Sequence, residues 1–218
     1  MKEQPSIQRA VKIILAILYG VGMVGFSIST TYEIFVQLTP LNLLLTLIVL
    51  LWFHDNWNTK SVFLFFAVTV IGFMAELLGV NSQILFGHYE YGEALGVKIW
   101  NTPIMIGVNW LILSYCIAVF LGRFQQQWFF PFLAAAIMVG FDVVMEPVAT
   151  NLRMWSWQTE QIPLKNYLDW YLVSFLIFTL IRASKVNWKN RLAAWILLVQ
   201  FIFFVGLNIY FKLNEWAY

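Results

Sequence analysis

The sequence predicts an all-α integral membrane protein, a single bundle of about seven transmembrane helices with the N-terminus inside. Of its 218 residues, 61% are hydrophobic and 11% are charged, whereas a soluble domain has roughly 25% charged residues. The mean hydropathy is +0.75. The apolar residues fall in long runs separated by turn signals. The sequence shows no internal repeat and no region of different composition that would mark a second domain. Residues 1–218 are therefore predicted to form one transmembrane domain.

Seven apolar runs approach the length of about 20 residues that a helix needs to cross a bilayer. They are residues 10–31, 38–53, 61–80, 103–121, 129–150, 166–181 and 191–211. The first run is followed by no clean small-x-small cleavage site, so it is predicted to be a retained span. The breaks carry turn or interface residues. They include Leu38-Thr39-Pro40, His54-Asp55-Asn56, Gln125-Gln126-Gln127 and Asn187-Trp188-Lys189-Asn190.

Lysine and arginine are divided unequally between the two predicted sides of the membrane. Those on the N-terminal side are Lys2, Arg9, Lys12, Lys60, Arg123, Arg182, Lys185, Lys189 and Arg191. Those on the other side are Lys98, Arg153, Lys165 and Lys212. Basic residues favour the cytoplasmic side of a membrane. The distribution therefore predicts an N-terminus inside and a C-terminus outside.

Charge and cysteine content exclude two kinds of site. The net charge of +2 is small and scattered, and no run of Lys or Arg reaches the length of a phosphate-binding patch, so no nucleic-acid partner is predicted. A single cysteine, Cys116, cannot form an internal disulfide or a cysteine zinc site. It lies in an apolar run and is predicted to be a packing residue.

Three carboxylates, Glu76, Asp142 and Glu146, lie inside the apolar runs. A carboxylate at mid-bilayer costs at least about 2.5 kcal/mol, so such residues mark either chemistry or a polar network. Asp142 and Glu146 are four residues apart and share one helical face. Two anions this close repel each other, so one of them is expected to hold a proton at neutral pH beside a base. Glu76 is predicted to lie at the same membrane level.

Two predicted outer loops are long and aromatic. Residues 81–102 contain Tyr89 and Tyr91, and residues 151–165 contain Trp155 and Trp157. In an extended segment Tyr89 and Tyr91 point the same way. Aromatic faces near acids would stabilise a transient cation. The alternative is an aromatic belt at the membrane interface.

The carboxylates also have a structural alternative, in which they only form hydrogen bonds across helices, to Asn109, Asn81 or Arg153. His88 is the one histidine near the aromatic loops, because His54 falls on the opposite side. A histidine-rich metal site is therefore excluded, and no metal is predicted. Carboxylates joined by His88 remain the open alternative for a metal.

An ordered set of short motifs is similar to one known family. The motifs are Ala75-Glu76-Leu77-Leu78-Gly79-Val80, Phe86-Gly87-His88-Tyr89-Glu90-Tyr91-Gly92, Pro103, Trp110, Asp142 with Pro147, and Trp155-Ser156-Trp157. Over roughly residues 60–180 the chain resembles the carotenoid biosynthesis protein family. That family includes bacterial carotenoid 1′,2′-hydratases and archaeal bisanhydrobacterioruberin hydratase.

The resemblance implies a cofactor-independent hydratase, a hydro-lyase that adds water across the terminal 1,2 (1′,2′) double bond of an acyclic ψ end group. Lycopene, γ-carotene or a fifty-carbon relative would be the substrate. The implied location is the cytoplasmic membrane of a bacterium or archaeon. The implied partners are the carotenoid, water, membrane lipid and other carotenoid-pathway enzymes, with no nucleic acid.

The resemblance and the acid pattern together suggest roles for named residues. One of Asp142 and Glu146 is expected to deliver a proton, and Glu76 to orient or deprotonate water. The side chains expected to bind the end group or stabilise its cation are Tyr89, Tyr91, Trp155, Trp157, His88, Trp110 and Asn109.

Other functions compete with hydration. A small membrane lycopene cyclase also protonates a ψ end group but lets an internal alkene capture the cation. A proton-coupled transporter would use intramembrane acids too, although the repeated halves typical of transporters are not visible. A retinal photoreceptor needs a lysine within its last span, whereas residues 191–211 contain none.

Overall fold

The computed structural model describes residues 5–159 and 161–214, which form seven α-helices joined by short turns and ribbons. They are α1 (Pro5–Ser27), α2 (Ser29–Trp52), α3 (Thr59–Ser82), α4 (Ile104–Phe120), α5 (Phe130–Asn151), α6 (Leu164–Ser184) and α7 (Ala193–Leu213). Six of these described helices are long and apolar enough to cross a membrane. The predicted all-α membrane bundle is confirmed, and the protein is a multi-pass membrane protein.

The side of the membrane on which each terminus lies stays a prediction. Lys2, which contributed to it, lies outside the described residues. The assignment of residues 1–218 to one transmembrane domain likewise stays a prediction.

The boundary between the first two helices differs from the predicted one. The predicted break at residues 38–40 is wrong, because α2 continues through Pro40. The chain turns instead at Ile28, whose backbone is extended (φ −108°, ψ 119°). There the Thr31 hydroxyl donates to the Gly25 carbonyl at 2.8 Å, satisfying an acceptor left open at the end of α1. Proline removes only one helical hydrogen bond, a loss that membrane helices tolerate.

Helix α4 lies at the centre of the bundle. It packs against α2, α3, α5, α6 and α7, and 12 of its 17 residues are buried. A helix that is apolar all round is expected in such a position. Cys116 is buried within it. Helices α1 and α2 pack against each other at the edge, with α1 also on α7 and α2 also on α4.

Short antiparallel ribbons join loops at both ends of the bundle. At one end β1 (His54–Asp55) pairs with β6 (Lys189–Asn190). At the other end β2 (Tyr89–Tyr91) pairs with β5 (Trp155–Trp157), beside a hairpin of β3 (Lys98–Ile99) and β4 (Thr102–Pro103). We refer to these as the β1–β6 end and the β2–β5 end. The two aromatic loops of the sequence therefore meet in one ribbon.

Candidate active site

The β2–β5 ribbon places four aromatic side chains on one face. Tyr89 lies opposite Trp157, and Tyr91 opposite Trp155. Alternate residues of a strand share a face, so these four, the ribbon aromatics, point toward the bundle. Ring contacts join them across the strands, with centroids 5.1 Å apart for Tyr89 and Trp157 and 6.0 Å for Tyr91 and Trp155. The intervening Glu90 is exposed on the other face.

Glu76 on α3 is buried beneath the ribbon and accepts hydrogen bonds from three side chains. The Tyr89 and Tyr91 hydroxyls donate to Oε2 at 2.6 and 2.7 Å. Trp110 on α4 donates from Nε1 to Oε1 at 2.9 Å. Three donors on one carboxylate stabilise its negative charge. The ribbon and the central helix therefore hold Glu76 in one position.

Two glycines on the same face of α3 make room for these donors. Gly72 lies one turn before Glu76, and a Cβ on it would collide with the ring of Trp110. Gly79 lies one turn after it, and a Cβ there would come 2.9 Å from the Tyr89 hydroxyl oxygen. Both contacts are too close for any residue but glycine without a shift of the neighbour. Glycines one turn before and one turn after Glu76 therefore allow Trp110 and Tyr89 to come within hydrogen-bond distance of it.

Glu146 on α5 is the second buried glutamate beneath the ribbon, with the same number of donors. The indole N–H groups of Trp155 and Trp157 each donate to Oε2 at 3.0 Å. Asn166 on α6 donates to Oε1 at 3.1 Å. Each strand of the ribbon thus supplies two donors to one glutamate: β2 to Glu76 and β5 to Glu146.

Asp142 lies one turn before Glu146 on α5 and is completely buried. The amide of Asn166 donates to its Oδ2 at 3.0 Å, so one side chain bridges both carboxylates. The other oxygen, Oδ1, has no hydrogen-bond partner among the described residues. The three acids, Glu76, Asp142 and Glu146, are called the carboxylate cluster below.

Helix α6 contributes two side chains that the sequence did not single out. Asn166 bridges the acids, and Trp170, four residues later on the same face, stacks on Trp110 with centroids 4.1 Å apart. The available signal for Asn166 was a polar residue at the start of the predicted apolar run 166–181. Asp169 accepts a hydrogen bond from the Phe86 backbone N–H at 2.7 Å and fastens the start of the β2 loop to α6.

A small cavity lies between the ribbon and the helices beneath it. Its volume of about 10 Å³ is close to the space that one water molecule requires. It is lined by Glu76 and Glu146, the ribbon aromatics, Ile106, Asn166 and Trp170. Asp142 does not line it and lies one helical turn from Glu146. Glu76 and Glu146 are therefore the acids that face this space.

The two tyrosines act as neutral donors. Burial, and after it the neighbouring Glu76, raise the pKa of the Tyr89 and Tyr91 hydroxyls well above the usual value for tyrosine. Both therefore keep their protons over the whole physiological pH range. Both hydroxyls can therefore donate to Glu76 throughout that range.

Some residues predicted for the site lie elsewhere. His88 is exposed, on the face of the chain opposite Tyr89. Asn109 does not line the small cavity but a neighbouring apolar groove. No group of three or more His, Cys, Asp and Glu residues suited to a metal ion occurs in residues 5–159 and 161–214.

Two of the predicted hydrogen-bond partners of the acids, Asn81 and Arg153, bind other groups. Asn81 donates to the Leu77 and Trp100 carbonyls. Arg153 pairs with Glu33 at 3.3 Å. The carboxylates do form hydrogen bonds across helices, but through Trp110 and Asn166.

The family comparison bears directly on this cluster. The model of the family described as carotenoid biosynthesis protein matches residues 38–217. The chain belongs to the carotenoid biosynthesis protein family. Among curated proteins and among solved structures, the comparisons find no match. The matched region of this carotenoid biosynthesis protein contains the carboxylate cluster and the ribbon, and it begins after α1.

Proposed function

We propose that this carotenoid biosynthesis protein is a hydratase that adds water across the terminal 1,2 (1′,2′) double bond of an acyclic ψ end group. Lycopene, γ-carotene or a fifty-carbon relative is the proposed substrate. Hydration changes no oxidation state, so it needs no redox cofactor. The proposed location is the cytoplasmic membrane of a bacterium or archaeon, among other enzymes of the pathway.

The observation that carries this proposal is the small cavity shared by two buried glutamates and four aromatic side chains. Addition of water to an alkene needs an acid, a base and a place for one water molecule. Glu146 and Glu76 line the cavity, and its volume of about 10 Å³ suits a single water. Capture of the cation by this water gives hydration, whereas a cyclase would let an internal alkene of the same substrate capture it.

The reaction begins with transfer of a proton from Glu146 to C2, the less substituted carbon of the double bond. The π electrons form the new C–H bond, and positive charge develops on the tertiary C1. The oxygen of the bound water attacks C1, and its proton passes to Glu76. The product is a tertiary alcohol, and return of a proton from Glu76 to Glu146 completes the cycle without net consumption of acid.

Geometry supports this division of roles. Glu146 faces the cavity and has Asp142 one turn behind it, joined to it through Asn166. Two carboxylates so close share a proton more readily than they bear two negative charges. Glu76 also accepts three hydrogen bonds but has no second acid one turn away on α3, so it is suited to remain an anion that orients water.

The cation at C1 would form between these anions and the aromatic faces. The rings of Tyr89 and Trp157 lie 5.1 Å apart at the cavity, and aromatic faces attract positive charge. Both glutamates are held in advance by fixed donors. The surroundings of the cation therefore need little rearrangement during the reaction.

Pigment analysis tests the proposal. The protein and its Glu146→Gln variant are expressed in a bacterial host that makes lycopene, and the extracted carotenoids are separated by chromatography and weighed by mass spectrometry. We expect the wild-type protein to give a product heavier by one water per hydrated end, and the variant to leave lycopene unchanged.

Two outcomes would contradict hydration. A ring-closed isomer of unchanged mass would identify a cyclase. Unchanged lycopene, with the protein present in the membrane and with γ-carotene and a fifty-carbon relative also unconverted, would exclude this end-group chemistry.

A further inference from the structure

A second, larger cavity lies beside the carboxylate cluster. It is an apolar groove of about 170 Å³ between the α1–α2 hairpin and helices α4, α5 and α7. Four leucines at its rim are exposed on the outer surface of α1 and α2: Leu18, Leu38, Leu41 and Leu45. In a membrane-spanning bundle this surface faces lipid. The groove is therefore open sideways to the hydrocarbon of the bilayer.

The groove and the carboxylate cavity meet. Ile106 and Trp155 line both of them, and both side chains are buried. Trp155 also donates to Glu146, so it contacts the groove and one of the acids. An apolar chain lying in the groove would therefore have its end separated from the glutamates only by these two side chains.

We propose that this groove binds the unsaturated hydrocarbon chain of the carotenoid, whose end group passes between Ile106 and Trp155 to reach the carboxylate cluster. This inference rests on the proposed function and adds the path by which the substrate arrives. The chain would enter from the bilayer through the rim formed by α1 and α2, without crossing water.

The lining of the groove suits a conjugated chain. Six of its aromatic side chains are Tyr19, Phe26, Phe35, Phe141, Phe203 and Phe204. A flat conjugated chain offers its faces to aromatic rings. It is also already stiff, so it loses less conformational freedom on binding than a saturated acyl chain does. Both properties favour a polyene over a membrane lipid.

Two glycines on α1 provide a matched test. Gly22 lines the groove, and a Cβ on it would make an ordinary contact with Phe203 at 3.5 Å. Gly20 is exposed, and a Cβ there would meet nothing within 4 Å. Phenylalanine at position 22 would fill the groove, whereas phenylalanine at position 20 would extend into lipid.

The experiment measures retained and converted pigment separately. Each variant is made in the lycopene-producing host and purified in detergent, and lycopene with its products is extracted and counted per protein molecule. Gly22→Phe should lower pigment retention by about tenfold, the effect of 1.4 kcal/mol, and lower conversion equally. Gly20→Phe should retain and convert as the wild type does. Equal retention by Gly22→Phe and Gly20→Phe would overturn the inference.

A second pair guards against misfolding of Gly22→Phe. Leu45 and Leu44 are neighbours on α2 with exposed fractions of 41% and 39%, but only Leu45 lines the groove. Leu45→Trp should lower retention and Leu44→Trp should not. If both pairs differ in retention while no variant forms a hydrated product, the groove stands and the proposed hydration fails. If Gly22→Phe and Leu45→Trp both convert lycopene as the wild type does, hydration stands and the groove proposal fails. Finding only phospholipid in the purified protein would also overturn the groove proposal.

Discussion

The two ends of the bundle each carry a ribbon above a buried polar network, yet the networks differ in charge. At the β1–β6 end, Tyr115 pairs with His54 at 2.7 Å and accepts from Asn190 at 3.2 Å. Burial lowers the pKa of His54, so its imidazole stays neutral at pH 7. Among the described residues, the buried carboxylates all belong to the β2–β5 half: Glu76, Asp142, Glu146 and Asp169.

The networks also end differently. At the β1–β6 end the donors bind backbone groups, with Asn190 donating to the Leu50 carbonyl and Gln125 to the Val186 carbonyl. At the other end the donors converge on two glutamates that face a cavity. What distinguishes the proposed site from the β1–β6 end is therefore its buried acids, two of which face a cavity.

The largest expected effect comes from removing the acids. Asp142→Asn and Glu146→Gln keep the side-chain size but take away the proton donor or the charge that supports it. Conversion of lycopene should fall by about 10²- to 10⁴-fold in each, the usual contribution of general acid catalysis. The amount of protein in the membrane, measured by immunoblot, should not change. Substantial turnover by either variant would remove that residue from the acid role.

A smaller effect is expected from removing one donor to Glu76. Tyr91→Phe keeps the ring but deletes the hydroxyl that donates to Oε2 at 2.7 Å. A hydrogen bond to a charged group contributes about 1.5–3 kcal/mol, so conversion should fall by at least about tenfold. Product formed per protein molecule measures this. Unchanged conversion in Tyr91→Phe would mean that Glu76 acts without this donor, or takes no part.

The smallest effect on conversion is expected from the same substitution at the other end. Tyr115→Phe leaves His54 and Asn190 without their shared partner, which should lower stability by about 1–3 kcal/mol. Thermal unfolding in detergent should show the loss, while conversion at low temperature stays at the wild-type level. A fall in conversion as large as that of Tyr91→Phe would erase the distinction between the two ends.

Local patterns account for what the sequence predicted well. Run lengths gave seven helices, and the four-residue spacing placed Asp142 and Glu146 on one face of α5. The strongest local breaker was misleading, because Pro40 lies inside α2 and the chain turns at Ile28. At Ile28 the turn is stabilised by the Thr31 hydroxyl, which donates to the Gly25 carbonyl. Pro40 has no such donor. His88 was grouped with Tyr89 by proximity in sequence, although strand alternation puts adjacent residues on opposite faces.

The sequence by itself determined that this is a membrane bundle and which acids its apolar runs contain, since hydropathy and helical periodicity depend only on neighbouring residues. The tertiary structure decided which acids face the cavity. It also paired β2 with β5, brought Asn166 between Asp142 and Glu146, and set the apolar groove against Trp155. These contacts join residues that are far apart in the chain, such as Tyr89 with Trp157. Only the packing of whole helices fixes such distances.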